Sequence, residues 1–157
     1  MANFKTNVMR NLETNKIEYN LYTYDANGDF DGCSVARKIG KNPETVFKTL
    51  VTVAPSKKYY VFVVPVTSEL DLKACASAVG EKSVEMIAVK DINKVTGYIR
   101  GGCSPIGMKK QYVTVIDESC RLFDKIVFSA GKIGYQVEIS LSELVNLTGA
   151  KVSKITR

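Results

Sequence analysis

The sequence predicts a mixed α+β fold built on a curved or partly closed, barrel-like β-sheet with short peripheral helices. Three observations carry this. β-Rich runs recur from residue 19 almost to the C-terminus, and the helical stretches between them are only a few turns long. The order of elements also lacks the βαβ rhythm that builds a parallel, doubly wound sheet.

The elements follow in order. Phe4, Val8 and Leu12 fall at helical spacing, which predicts an amphipathic helix over 4–15 that ends at Asn15-Lys16. Residues 19–24 then alternate like a half-buried strand, and the Asp, Asn and Gly of 25–32 mark a loop. A short helix over 34–39 stops at Gly40, and Asn42-Pro43-Glu44 begins another helical turn with Asn42 as its cap. Residues 47–53 and 59–64 are β-rich runs joined by Ala54-Pro55-Ser56-Lys57-Lys58, the pattern of a hairpin. Ser68-Glu69-Leu70-Asp71 approximates a capping box for a helix that ends at Gly80. A short strand over 84–87 and a short helix over 90–95 come next, then a stretch over 97–107 with too many glycines for any regular element. Strands are expected over 112–116, 125–129 and 135–139. Ser140 caps a final helix closing at Gly149, and 150–155 adds a last strand. No repeat, low-complexity segment or linker divides the chain, so 1–157 reads as one domain.

Composition limits what this domain can be. At 157 residues, folding buries roughly 70% of the unfolded surface, enough for a core without disulfides or metals. The four cysteines, Cys33, Cys75, Cys103 and Cys120, are scattered, and no histidine occurs anywhere. Structural zinc and a disulfide framework are therefore not expected, and the thiols read as reduced. The polar start Met1-Ala2-Asn3 lacks the apolar stretch of a secretory signal, and no apolar run can cross a membrane. The expectation is a soluble, cytoplasmic protein with no metal and no cofactor. Lys and Arg outnumber Asp and Glu by 22 to 16, a net charge of +6 that favours approach to polyanions without specifying one.

The missing histidine also narrows the chemistry. Acid–base work must come from Lys, Tyr, Asp, Glu, Cys or the substrate, and Ser-His-Asp or Cys-His nucleophiles are excluded within this chain. Lys48 stands among apolar residues in Val46-Phe47-Lys48-Thr49-Leu50-Val51. Such a lysine either points into a pocket, where it would hold a carbonyl oxygen or phosphate, or lies on the polar face of an edge strand. The usual surface preference of lysine favours the second reading. The 101–105 loop, with adjacent Gly101 and Gly102, permits close backbone approach and offers N–H groups to an oxygen; a plain structural turn is the alternative. Ser129 ends a strand before Ala130-Gly131, and Tyr24-Asp25 ends another, where a tyrosine is more often packing. Cys103 is the cysteine in the most suggestive setting.

Taken together, three segments resemble the YbaK/EbsC family, related to the editing domain of bacterial prolyl-tRNA synthetases. They are Phe47-Lys48-Thr49-Leu50, then Thr96-Gly97-Tyr98 through Gly101-Gly102-Cys103-Ser104-Pro105-Ile106-Gly107-Met108-Lys109-Lys110, then Ser129-Ala130-Gly131-Lys132. The likeness spans nearly the whole chain. It implies a mixed, barrel-like α/β fold and cleavage of the ester between an amino acid and the terminal adenosine of tRNA. The best-known substrate is Cys-tRNA(Pro), with Cys-tRNA(Cys) a further one. Lys48 matches the family's essential lysine, and Gly101, Gly102, Cys103, Ser104 and Pro105 match its loop facing the aminoacyl ester. Tyr24, Thr49 and Ser129 match pocket residues. Some members carry an acidic residue where this chain has Gln136, so no role transfers there; Glu138, two residues on, shares its strand face. In such enzymes the cysteinyl thiol attacks its own ester and leaves as a cyclic thiolactone, which suits a chain without histidine. A chain without an anticodon-reading domain would need a partner for tRNA selectivity, with prolyl-tRNA synthetase the expected one. Two other readings compete: a deacylase for alanine or another small amino acid that uses water, and a non-catalytic module binding nucleic acid or nucleotides.

Overall fold

A computed structural model describes residues 5–28 and 30–157. Met1 to Phe4, including the start of the predicted first helix, and Asp29 of the predicted 25–32 loop lie outside the described residues.

Helix α1 (Asn7–Thr14) begins where the Thr6 side chain accepts the Met9 N–H, and it buries Val8, Met9 and Leu12 as their spacing predicts. Strand β1 (Asn20–Thr23) follows. It is mostly exposed, with only Tyr22 half-buried, because it forms the outer edge of its sheet. Asp31 caps α2 (Gly32–Lys38), and Asn42 caps a 3₁₀ turn over Pro43–Thr45. The hairpin of β2 (Phe47–Val53) and β3 (Tyr59–Pro65) forms as expected, and α3 (Leu72–Val79) stops at a left-handed Gly80. The cap of α3 is Asp71, which accepts the Ala74 N–H, whereas Ser68 belongs to a turn through its own N–H to Pro65 O. The predicted capping box thus sits one turn too early. Strand β4 (Glu85–Met86), a 3₁₀ turn over Val89–Asp91 and α4 (Ile92–Thr96) lead to the glycine-rich loop. Then come β5 (Val113–Asp117), β6 (Lys125–Ser129), β7 (Tyr135–Ser140), α5 (Leu141–Thr148) and β8 (Lys151–Ser153). A 3₁₀ helix at Glu118–Leu122, capped by Asp117, was not expected from the pattern.

The strands make two sheets and not a closed barrel. One has the order β1-β7-β6, antiparallel throughout; the other has the order β4-β2-β3-β5-β8. In the second sheet, β3–β5 and β5–β8 are parallel pairs. The expectation of no βαβ rhythm therefore missed two crossovers, because the β3–β5 connection is long and carries a short strand and a glycine-rich loop besides its helices. The sheets meet along one seam, a parallel bridge between Val46 and Val127.

Why β3 reads as an unbroken apolar run now has a cause. Val61 and Val63 face the main core with Phe47, Ile116, Phe128 and Val137, whereas Tyr60, Phe62 and Val64 face a second core under α3 with Cys75, Ala76 and Ile155. A strand covered on both faces needs apolar residues at every position. Each fully buried side chain of this size contributes roughly 1.5–3 kcal/mol.

Two buried carboxylates hold strands in place. Asp117 Oδ1 accepts from the Ile155 N–H (3.0 Å) and the Thr156 hydroxyl (3.2 Å), and Oδ2 accepts from the Ser119 N–H (3.2 Å), which ties the C-terminal segment to β5. Glu138 on β7 accepts from Asn20 Nδ2 and Tyr22 Oη, both 3.0 Å, and pairs with Lys41 at 3.0 Å. Lys41 also lies 5.4 Å from the centre of the Tyr22 ring. Burial alone would raise the Glu138 carboxyl, but the bonds from Asn20, Lys41 and Tyr22 outweigh it and hold it below its ordinary value.

This arrangement has a measurable consequence. Glu138→Gln should cost about 1–3 kcal/mol in urea unfolding at neutral pH, because Lys41 and its neighbours lose a charged acceptor. A depressed carboxyl contributes stability above its unfolded pKa that is lost as pH falls through the folded one. The gap between wild type and variant should therefore narrow as pH drops below the ordinary glutamate range. A constant gap down to low pH would show that Glu138 is not ionised in this network.

Candidate functional site

A cavity of about 900 Å³ opens beside the seam between the sheets. That is near the upper end of the roughly 300–1,000 Å³ common for small-ligand sites. Its inner wall is β2. Between the bridge at Val46 and the pairing of Thr52 with Met86, β2 has no strand partner on its outer edge among the described residues. All five residues from Phe47 to Val51 consequently line the cavity, although neighbours on a strand face opposite sides. Lys48 reaches it half-buried, with no ion-pair partner among the described residues.

Other elements close the remaining sides. Tyr24, Gly28 and Phe30 come from the chain between β1 and α2, and Asp31, Gly32 and Val35 come from the start of α2. Gly32 is required there, since a Cβ would lie 2.3 Å from Val66 Cγ1. Met86, Ile87, Val89 and Ile92 form an apolar flank, and Ser129 and Gln136 form the floor at the ends of β6 and β7. Ser129 sits opposite Gln136 in the sheet, with its Oγ accepting the Gly131 N–H at 3.0 Å.

The polar atoms in this wall are unusual. Tyr24 Oη, Thr49 Oγ1 and Gln136 Oε1 are all buried without a hydrogen-bond partner. Buried polar groups are nearly always paired, and leaving one unpaired costs about 1–3 kcal/mol. Three such atoms around one cavity are the signature of a site that completes its hydrogen bonds with a ligand. Among the described residues, the wall's one carboxylate is Asp31, whose Oδ1 accepts the Ser34 N–H and whose Oδ2 accepts the Ser34 hydroxyl.

The glycine-rich loop over 97–107 forms the mouth. Tyr98 is its pin, donating its hydroxyl to Ile106 O, while Asn7 Nδ2 donates to Gly107 O at 3.0 Å. Gly107 has φ +78°, and a Cβ there would lie 2.5 Å from Asn7 Nδ2 and 2.8 Å from Tyr98 Oη. Gly101, with φ +88°, packs against Phe30; a Cβ would come within 2.9 Å of that ring. The loop residues divide into two groups. Gly101 and Cys103 line the cavity with Arg100, whereas Gly102, Ser104 and Pro105 are buried away from it. The Gly102 N–H donates to Ile99 O at 2.9 Å and so closes a turn. Burial pushes the Cys103 thiol above its ordinary value, and its Sγ donates to Ile99 O, so it stands as a neutral thiol.

Six of the residues expected from sequence therefore come together: Tyr24, Lys48, Thr49, Gly101, Cys103 and Ser129. The sequence reading gave Gln136 no role and left out Phe30 and Arg100. For Arg100 a signal existed, a cation directly before two glycines. For Phe30, an aromatic residue within a polar loop was the available hint. Crowding the loop's pins gives a direct check: Gly107→Ala, which sets a Cβ against Asn7 and Tyr98, should cost roughly 1–3 kcal/mol in urea unfolding. It should also raise amide hydrogen exchange across 98–106 while leaving β3 protected.

Residues 33–147 match the aminoacyl-tRNA editing domain family. The chain is 44% identical over 153 residues to the "Putative Cys-tRNA(Pro)/Cys-tRNA(Cys) deacylase EbsC" of Enterococcus faecalis, an alignment covering 97% of this chain and 93% of that protein. The fold is shared with a solved structure described as a "putative trans-editing enzyme for prolyl tRNA synthetase", with TM-score 0.80, 23% identity, and coverage of 96% of this chain and 95% of the other. It is also shared with a crystal structure of a hypothetical protein at TM-score 0.88 and 22% identity, covering 97% and 100%. The family match covers most of the chain, including β2, the glycine-rich loop and both floor strands of the cavity, and this chain belongs to the aminoacyl-tRNA editing domain family.

Proposed function

We propose that this protein removes cysteine from mischarged Cys-tRNA(Pro), and from Cys-tRNA(Cys), by cleaving the ester to the terminal adenosine. The observation that carries this reading is the cavity of an editing-family chain with three buried, unpaired polar atoms and no histidine to attack or to accept a proton. Its similarity to the Enterococcus faecalis deacylase supports the choice of amino acid.

The wall fits a site that positions its substrate rather than attacking it. Cys103 is held as a neutral thiol, and the sequence has no histidine to take a proton from Ser129 or Thr49. The nucleophile is then the cysteinyl thiol of the substrate. Its sulfur bonds to the ester carbonyl carbon, the bond from that carbon to the ribose oxygen breaks, and the thiol proton ends on the ribose oxygen. Cysteine leaves as a cyclic thiolactone, which water opens. The amides of Gly101 and Cys103, neither of which has a protein acceptor among the described residues, hold the carbonyl oxygen as charge develops on it. This role passes from Gly102, whose amide is engaged in its turn. Lys48 anchors the terminal phosphate, and Tyr24, Thr49 and Ser129 shape the pocket. Ser104 and Pro105 act from behind, by holding the loop.

No helix among the described residues is long and apolar enough to cross a membrane. Work in the cytoplasm on charged tRNA, with prolyl-tRNA synthetase as the partner that supplies tRNA selectivity, agrees with this and with the net charge of +6.

Deacylation of Cys-tRNA(Pro) and Ala-tRNA(Pro) by the purified protein tests the proposal. Cysteine should be released far faster than alanine, and Lys48→Ala should slow cysteine release roughly 100-fold or more. Release of alanine alone would replace thiol attack with attack by water. No release from either substrate would leave the family membership standing and remove the activity.

A further inference from the structure

One floor residue has no part in the chemistry above. Gln136 is 6% exposed, lines the cavity, and has an Oε1 with no donor. The donors nearest along its strand face are committed elsewhere: Asn20, Tyr22 and Lys41 all serve Glu138. Tyr24 and Thr49 carry hydroxyl protons and can donate or accept, but a carbonyl oxygen can only accept. A ligand that completes this wall must therefore bring an N–H or O–H donor to Gln136.

The aminoacyl part of the ester carries one strong donor, its α-ammonium group. Lys48 repels that cation from the β2 side of the cavity, and the Asp31 carboxylate is exposed to solvent at the start of α2, with each oxygen accepting from Ser34. Among the described residues of the wall, Gln136 Oε1 is the buried, unpaired side-chain atom that can only accept. Resting on the deacylase reading, we infer that Gln136 receives the α-ammonium of the substrate and makes the site selective for amino acids with a free α-amino group. An N-acylated ester has lost the charge and two of the three protons, and it adds an acyl group against a closed floor. Peptidyl and other N-blocked esters are the class this wall turns away.

The test compares Cys-tRNA(Pro) with N-acetyl-Cys-tRNA(Pro), each rate divided by that of its uncatalysed cleavage. The enzymes are the wild-type chain, Gln136→Leu and Gln136→Glu, with thermal melts of all three. Wild type should prefer the free amine by roughly 10- to 100-fold, the range of one charge-assisted hydrogen bond. Gln136→Leu should lose that preference through a slower rate on Cys-tRNA(Pro), and Gln136→Glu, which retains an acceptor, should keep it. Equal wild-type rates on the two esters, with Cys-tRNA(Pro) still cleaved, would overturn the inference and leave the deacylase. That arm needs no variant to fold. A Leu variant that slows both esters equally would assign Gln136 to packing, and a Glu variant as defective as Leu would make the amide a donor; either result overturns it. If wild type cleaves neither ester, the deacylase reading fails first and the inference falls with it.

Discussion

The bridge between Val46 and Val127 is the constraint on which the site depends. Val46 O also accepts the Val66 N–H at 2.8 Å, so this one residue is tied to the neighbouring sheet and to the end of its own hairpin. Both valines are fully buried with Ala36 of α2. Past the seam, β2 has no strand partner on that edge among the described residues until Thr52 meets β4. The cavity opens beside this stretch, whose residues Phe47 to Val51 line it. Lys48 and Thr49, the second and third residues past the seam, line it together with Ser129 and Gln136. The position of the cavity thus follows from where two sheets stop touching.

Polar groups in this fold divide sharply by whether protein satisfies them. Glu138 and Asp117, both buried, each collect three partners and serve only to hold strands and the C-terminal segment. A few ångströms of strand away, Tyr24, Thr49 and Gln136 are left without any. Gln136 and Glu138 share one face of β7, yet one is satisfied and the other is not. The difference is which way the β1 side chains reach. Tyr22 is the cross-strand neighbour of Gln136, yet its hydroxyl, like the Asn20 amide, donates to Glu138.

What could be read from sequence was whatever a local pattern encodes. The hairpin, the short helices, their glycine stops and the positions of most strands follow from periodicity and turn chemistry, and the structure reproduces them within a few residues. Pairing across distance was not legible. Nothing local in 113–117 says that β5 lies parallel to β3, because that depends on a crossover of nearly fifty residues folding back on one side. The site shows the same limit. Lys48 was visible as a cation in an apolar run, but its exposure depends on β2 being an open edge at that point. Gly102 looks like Gly101 in sequence; only the turn to Ile99 shows that the Gly102 amide is engaged, and only the fold shows that Gly101 lines the cavity. Gln136 stood out only through the family resemblance, as a departure to which no role transferred, because glutamine is ordinary in a strand until its partners are counted.

The breadth of the cavity bears on how one amino acid is chosen over another. At about 900 Å³, with a largely apolar flank of Met86, Ile87, Val89 and Ile92, it has room for much more than a cysteinyl group. Alanine is smaller than cysteine, so a wall that admits cysteine cannot exclude alanine by size. Even a close-fitting apolar pocket separates side chains differing by one small group by only about 1–3 kcal/mol. Selection by reactivity escapes that limit. If the wall supplies no nucleophile, an amino acid without a thiol can bind and leave unchanged, because nothing in its own side chain can attack the ester. The missing histidine and the neutral Cys103 are then features of selectivity: a strong base or thiolate in this wide a cavity would cleave correct esters along with incorrect ones.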